Sequence, residues 1–158
     1  MKEQEIAKLA LKSKGITQEE CGKKLGKAYT TINYTLNREG KSMRVKTFAD
    51  ILSVAGLLIE VIDEDGNSFA SVNPYSPGDV IRLAMQTRGV TFDKLAKLAG
   101  YKYSAEINNF INRSASMQVA NLARMLGAMR YKVIVVDKIS GEVFAEIDVP
   151  SGGQKNTL

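Results

Sequence analysis

The chain has 158 residues, 44% of them hydrophobic, with 22 Lys and Arg against 17 Asp and Glu, one cysteine and no histidine. That length holds one domain or two small ones with a core, and the net charge of +5 inclines it toward a polyanionic partner. Without histidine there is no Ser-His-Asp site, no Cys-His nucleophile and no zinc site of Cys and His, and a lone Cys21 forms no internal disulfide. The charged start, MKEQEIAKLALKSKG, does not read as a signal peptide, and the most apolar run, ILSVAGLLIEVI, is short and carries Glu60. A cytoplasmic protein with no membrane partner is expected.

Ile6, Leu9 and Ala10 fall at helical spacing, so a first helix is expected up to Gly15, a natural C-terminal cap. Thr17 is a good N-cap for a second, short helix, with Glu20 three residues on completing a capping box and Gly26 ending it. A third helix is built on Ile32 and Leu36, in the phrase INYTLNR. A fourth, from about 45 to 55, turns Val45, Phe48, Ile51 and Leu52 to one side and ends at Gly56. The period then changes to two: LLIEVID, a turn at EDGN and SFASV predict a β-hairpin, with Asp65-Gly66 as the turn signal.

The rest of the chain repeats this order. IAKLALKSKGITQEECGKKLG (6–26) aligns with VIRLAMQTRGVTFDKLAKLAG (80–100) at an offset of 74 residues. After one inserted residue, INYTLNR (32–38) aligns with INNFINR (107–113). SMRVKTFADIL (42–52) then aligns with SMQVANLARML (116–126), and the first hairpin resembles KVIVVDKISGEVFAEI (132–147). The expected organisation is repeat 1 over 1–72, a Pro-containing linker NPYSPG over 73–78, repeat 2 over 79–149, and a frayed tail over 150–158. VIVV is apolar on both faces, so the two hairpins are expected to pack on each other or on a second chain.

A short Thr-capped helix, a Gly turn and a third helix with an apolar face form a helix-turn-helix. Gly22, matched by Ala96, falls where the two helices come close and a small residue is needed. TQEECGKKLGKAYTTINYTLNR resembles the lambda-repressor-like (Cro/XRE-type) helix-turn-helix family through Thr17, Gln18, Gly26, Thr31, Ile32, Leu36 and Asn37, and the added hairpin resembles small phage and prophage members. The fold class expected is α+β, mainly α: two four-helix units of this type, each followed by a hairpin. The resemblance implies binding of double-stranded DNA, with the third helix in the major groove and the first turn of the second helix on phosphate. It also supplies Gln18, Tyr29 and Thr30 as contacts, with Phe92, Tyr103 and Ser104 as their counterparts.

The residues make the same case on their own. With Ile32 and Leu36 inward, the opposite face carries Thr30, Asn33, Tyr34 and Asn37; with Ile107 and Ile111 inward, it carries Ala105, Asn108, Asn109 and Asn112. Asparagine is a poor helix former but can bond an adenine edge with both amide atoms. Against this, Asn37 and Asn112 could serve as helix caps, Tyr29 and Tyr103 are expected to be partly core, and Cys21, aligned with Leu95, a buried apolar residue. Lys27, Arg38, Lys41, Arg44 and Lys46 surround the first phrase, and Lys102 and Arg113 flank the second.

Charge follows the elements. Residues 1–50 hold 11 basic and 6 acidic side chains and 76–132 hold 9 and 3, whereas 51–75 hold none and 4 and 133–158 hold 2 and 4. Basic helical parts and acidic hairpins suit a phosphate-facing surface turned away from a neutral one. The function expected is a sequence-specific DNA-binding transcriptional regulator, a fused pseudo-dimer of phage or mobile-element type, with no cofactor, no metal and no catalysis. The alternative is a module that uses the same scaffold to bind a host protein. Self-association through the hairpins is a further expected contact.

Overall fold

A computed structural model of the chain describes residues 1–150; the expected tail beyond Pro150 lies outside the described residues. The element order is α1 (Glu3–Ser13), α2 (Gln18–Leu25), α3 (Tyr29–Asn37), α4 (Val45–Val54), β1 (Leu57–Ile62), β2 (Ser68–Ser71), α5 (Gly78–Arg88), α6 (Phe92–Ala99), α7 (Ser104–Asn112), a 3-10 turn (Ser114–Ser116), α8 (Val119–Ala128), β3 (Lys132–Asp137) and β4 (Val143–Glu146). The fold is α+β and mainly helical, with one antiparallel sheet. Among the described residues no helix is long and apolar enough to cross a membrane.

Local chemistry sets most boundaries. Thr17 Oγ1 accepts from the Glu20 amide at 3.1 Å while the Glu20 carboxylate accepts from the Thr17 amide, so α2 opens with a reciprocal capping box. Thr91 Oγ1 caps α6 in the same way, accepting from the Lys94 amide at 3.2 Å. Gly26 and Gly100 close these helices in the left-handed region, where a side chain would be strained. Gly56, after α4, has φ 73°; at the matching place after α8 stands Arg130 at φ 67°, the one non-glycine with positive φ among the described residues.

The hairpins do not stack face to face. They join edge to edge into one sheet of order β2-β1-β3-β4. β3 is an inner strand, bonded to β1 on one side and β4 on the other; all four VIVV residues are buried, and Val133 and Val135 join the core on the face that α8 covers. The register pairs Leu58 with Val136, Glu60 with Ile134 and Ile62 with Lys132. A bulge interrupts each outer pairing, at Val61/Ile62 against β2 and at Val135/Val136 against β4. Asp63 and Asp137 fold the two hairpin turns. Asp63 Oδ1 accepts from the Asp65 and Asn67 amides, and Asp137 Oδ1 from the Ile139 and Ser140 amides, each at 2.9 Å. Those backbone bonds from Ser140 and Ile139 hold the Asp137 carboxyl below its usual range.

α4 lies against β1 and α8 against β3. Phe48, Ile51 and Leu52 meet Leu122, Met125 and Leu126, with Ile59, Val61, Val133 and Val135, in one continuous buried cluster that runs through both halves of the chain. A second backbone link sits at the other end of these helices. The Val45 amide donates to the Met117 carbonyl at 2.9 Å and the Val119 amide to the Met43 carbonyl at 2.8 Å, so that Arg44 faces Gln118 in an antiparallel bridge. In the segment expected as a linker Asn73 and Tyr75 are exposed while Pro77 and Gly78 are buried, and a Cβ on Gly78 would fall 2.7 Å from the Ile111 carbonyl oxygen.

Candidate nucleic-acid interface

The third helix of each half is oriented by its apolar pair. Ile32 and Leu36 on α3, and Ile107 and Ile111 on α7, are buried, which leaves the asparagine face outward. α2 meets α3 tightly: a Cβ on Gly22 would lie 2.6 Å from the Lys27 carbonyl oxygen. Ala96 holds the matching place on α6, where the connection to the next helix, 100–103, is one residue longer than 26–28. Cys21 is fully buried, and burial pushes its thiol up, which removes it from nucleophilic chemistry.

On the first half the polar side chains form a linked set. Asn33 Nδ2 donates to Gln18 Oε1 at 3.0 Å and to the Tyr29 hydroxyl at 3.3 Å, tying the first turn of α2 to the outer face of α3. Asn37 Nδ2 donates to the Asn33 carbonyl at 2.9 Å, and its Oδ1 accepts from Lys8 Nζ at 3.4 Å. Tyr34 stands out from the helix, 64% exposed, with the Arg38 guanidinium 5.3 Å from its ring centre. Thr30 and Lys27 are exposed beside it.

On the second half the polar side chains are linked differently. Phe92, 42% exposed, replaces the amide of Gln18, so no side-chain bridge joins α6 to α7 at that point. Instead the Glu106 carboxylate accepts from the Lys102 amide at 3.1 Å and the Tyr103 amide at 3.4 Å, and the Lys102 ammonium lies 5.4 Å from the Tyr103 ring centre. Asn112 Nδ2 donates to Asn108 Oδ1 at 3.0 Å, and Asn112 Oδ1 accepts from Arg82 at 2.9 Å. Asn109 and Arg113 are exposed, and Ser104 is half-buried at the start of α7. Tyr101, by contrast, is a structural pin. Its hydroxyl donates to Asn121 at 2.7 Å beneath the Arg124 guanidinium, and burial pushes its pKa up to about 12.

Two expectations change. Tyr29 and Tyr103 are not part of the core: they are 51% and 59% exposed, because Tyr29 opens α3 and Tyr103 is the extended N-cap of α7, both off the face that Ile32 or Ile107 turns inward. Lys46 does not join the outer basic cluster, since its ammonium pairs with Asp50 and lies 4.6 Å from the Tyr75 ring centre. The structure also adds Lys8 and Arg82, which reach from α1 and α5 to the ends of the two asparagine faces. Their signal in the sequence was that both are basic and occupy matching places in the aligned segments. Arg38, Lys41 and Arg44 come together in a pocket at the foot of α3 rather than spreading along it.

No protein-family model matches the chain, and no curated protein or solved structure matches it.

Proposed function

We propose that the chain is a double-stranded DNA-binding transcriptional regulator of lambda-repressor-like type, a tandem pair of helix-turn-helix units fused into a pseudo-dimer. The observation that carries this reading is the pairing between halves. Arg44 faces Gln118 and Glu60 faces Ile134, each pair 74 residues apart, the same offset that aligns the two halves of the sequence. An antiparallel register centred on equivalent residues maps onto itself when the halves are exchanged. The matching bulges, the matching turn aspartates and the matching left-handed residues Gly56 and Arg130 obey the same exchange. This two-fold relation supports reading α3 and α7 as paired helices of the kind that enters successive major grooves about 34 Å apart.

The asparagine faces give such helices something to read with, and the basic helical parts give them phosphate affinity. Gln18, Tyr29, Thr30, Asn33, Tyr34 and Asn37 are the reading and positioning set of the first unit, with Lys27 on the backbone. Tyr103, Ser104, Asn108, Asn109, Asn112, Lys102 and Arg113 form that of the second. Fusion makes the second contact intramolecular and lets the two units diverge toward an asymmetric site. Fluorescence anisotropy on a selected duplex tests the assignment. Asn33→Ala and Asn109→Ala should each cost about 1–3 kcal/mol and relax base preference, while affinity falls steeply with salt. Unchanged affinity and preference in both variants would remove these residues as readers.

A second reading, a module for a host protein, draws on Phe92, which exposes an aromatic ring where the first unit offers the amide of Gln18. It predicts no salt-steep duplex binding.

A further inference from the structure

The foot of α3 holds a pocket of about 380 Å³ whose wall crosses from one half of the chain to the other. Arg38, Lys41 and Arg44 line it from the first half and Gln118 from the second, with Thr35 and Thr47 between. No carboxylate lines the pocket, and among the described residues none of the three cations forms an ion pair. Glu3 bonds two of the residues that line the pocket, Ser42 and Met43. That carboxylate is already engaged, accepting from the Ser42 hydroxyl at 2.5 Å and the Met43 amide at 2.9 Å.

Arg38 supplies the sharper sign. Its Nε is buried and has no hydrogen-bond partner. Buried donors in folded proteins are nearly always satisfied, and an orphaned one calls for an explanation. The side chain is not loose, because its guanidinium packs over the Tyr34 ring. Arg38 also lines the pocket with Lys41 and Arg44, and three cations around one polar cavity suit a phosphate group, which the Arg38 N–H fork can grip with a small shift of the side chain. A singly charged carboxylate would leave most of that positive charge unanswered; a phosphate, near two negative charges, would not.

We propose that this pocket binds a phosphate group, held by the Arg38 fork with Lys41 and Arg44 and closed from the far side by the Gln118 amide. The site is built once per chain. The aligned positions of the second half are Arg113, Ala115 and Gln118, which supply one cation in place of three. Because the wall includes both halves beside the Arg44–Gln118 bridge, an occupant also braces the seam. The phosphate could come from a nucleic-acid backbone, which rests on the DNA reading, or from a free phosphorylated small molecule, which does not.

The test is titration of the full chain with inorganic phosphate near neutral pH at constant ionic strength, followed through the arginine Nε–Hε signals by nuclear magnetic resonance. The expected result is one saturating Nε–Hε signal at one phosphate per chain. Binding, followed in parallel by isothermal titration calorimetry because Arg38→Lys removes the Arg38 signal, should weaken by roughly tenfold or more in that variant, which keeps the charge and loses the fork. Lys41→Met, at an exposed site, should weaken binding as well and decides the matter should Arg38→Lys not fold. Shifts that never saturate, or binding unchanged in the folded variants, would overturn the proposal. A duplex of unrelated sequence then separates the sources. Displacement of phosphate from Arg38 assigns the site to a backbone phosphate, and persistence of the signal assigns it to a free phosphorylated molecule.

Discussion

Gly22 shows how little room one position can leave. Its φ needs no glycine; what excludes a side chain is the Lys27 carbonyl oxygen, 2.6 Å from where Cβ would stand. Gly22→Ala should therefore destabilise the chain by about 1–3 kcal/mol, read from chemical denaturation, even though Ala96 is tolerated at the matching place beside a longer connection. Thr17→Ala should cost about 1 kcal/mol by removing the cap on the Glu20 amide. Both residues were legible in the sequence, because a helix cap and a close helix crossing are local matters with characteristic residue types. The linked set of Gln18, Tyr29 and Asn33 was not. Each was a candidate contact on its own, but that Asn33 bonds Gln18 depends on how α2 crosses α3. The exposure of Tyr29 and Tyr103 was missed for a related reason: an aromatic ring at a helix start points where the preceding turn sends it, which spacing alone does not fix.

At the scale of elements, helices and strands were readable because their periods differ and their ends carry Thr, Gly and Asp-Gly signals. The apolar run VIVV announced a strand needing cover on both sides, and all four of its residues are buried in β3. How the hairpins would meet was open. Pairing between hairpins is set by contacts some 74 residues apart, and nothing local distinguishes a sheet edge that meets its own chain from one that meets another. The junction makes a definite demand. Ile59, 3% exposed on β1 and paired with Val135, touches the common core. Ile59→Ala should cost about 2–5 kcal/mol, and the loss should appear in melting of the second half as well as the first. Loss confined to residues 1–72 would mean that the sheet junction carries little of the stability.

For the whole molecule, the shared core and the two backbone links predict one cooperative unit. Calorimetric and van't Hoff enthalpies should agree in a single thermal transition, whereas two transitions would mark separately stable halves. The sequence suggests two units joined by a linker over 73–78; its last residue, Gly78, opens α5 and packs on Ile111. The proposed DNA reading requires that α3 and α7, one outward helix from each half, each contact base edges. The measurement that tests this most directly is selection of bound sequences from a pool of randomised duplexes. The account predicts enrichment of two short, unlike motifs with centres about 10 base pairs apart, one for each asparagine face. No enriched motif at either low or physiological salt would contradict it and turn attention to a protein partner.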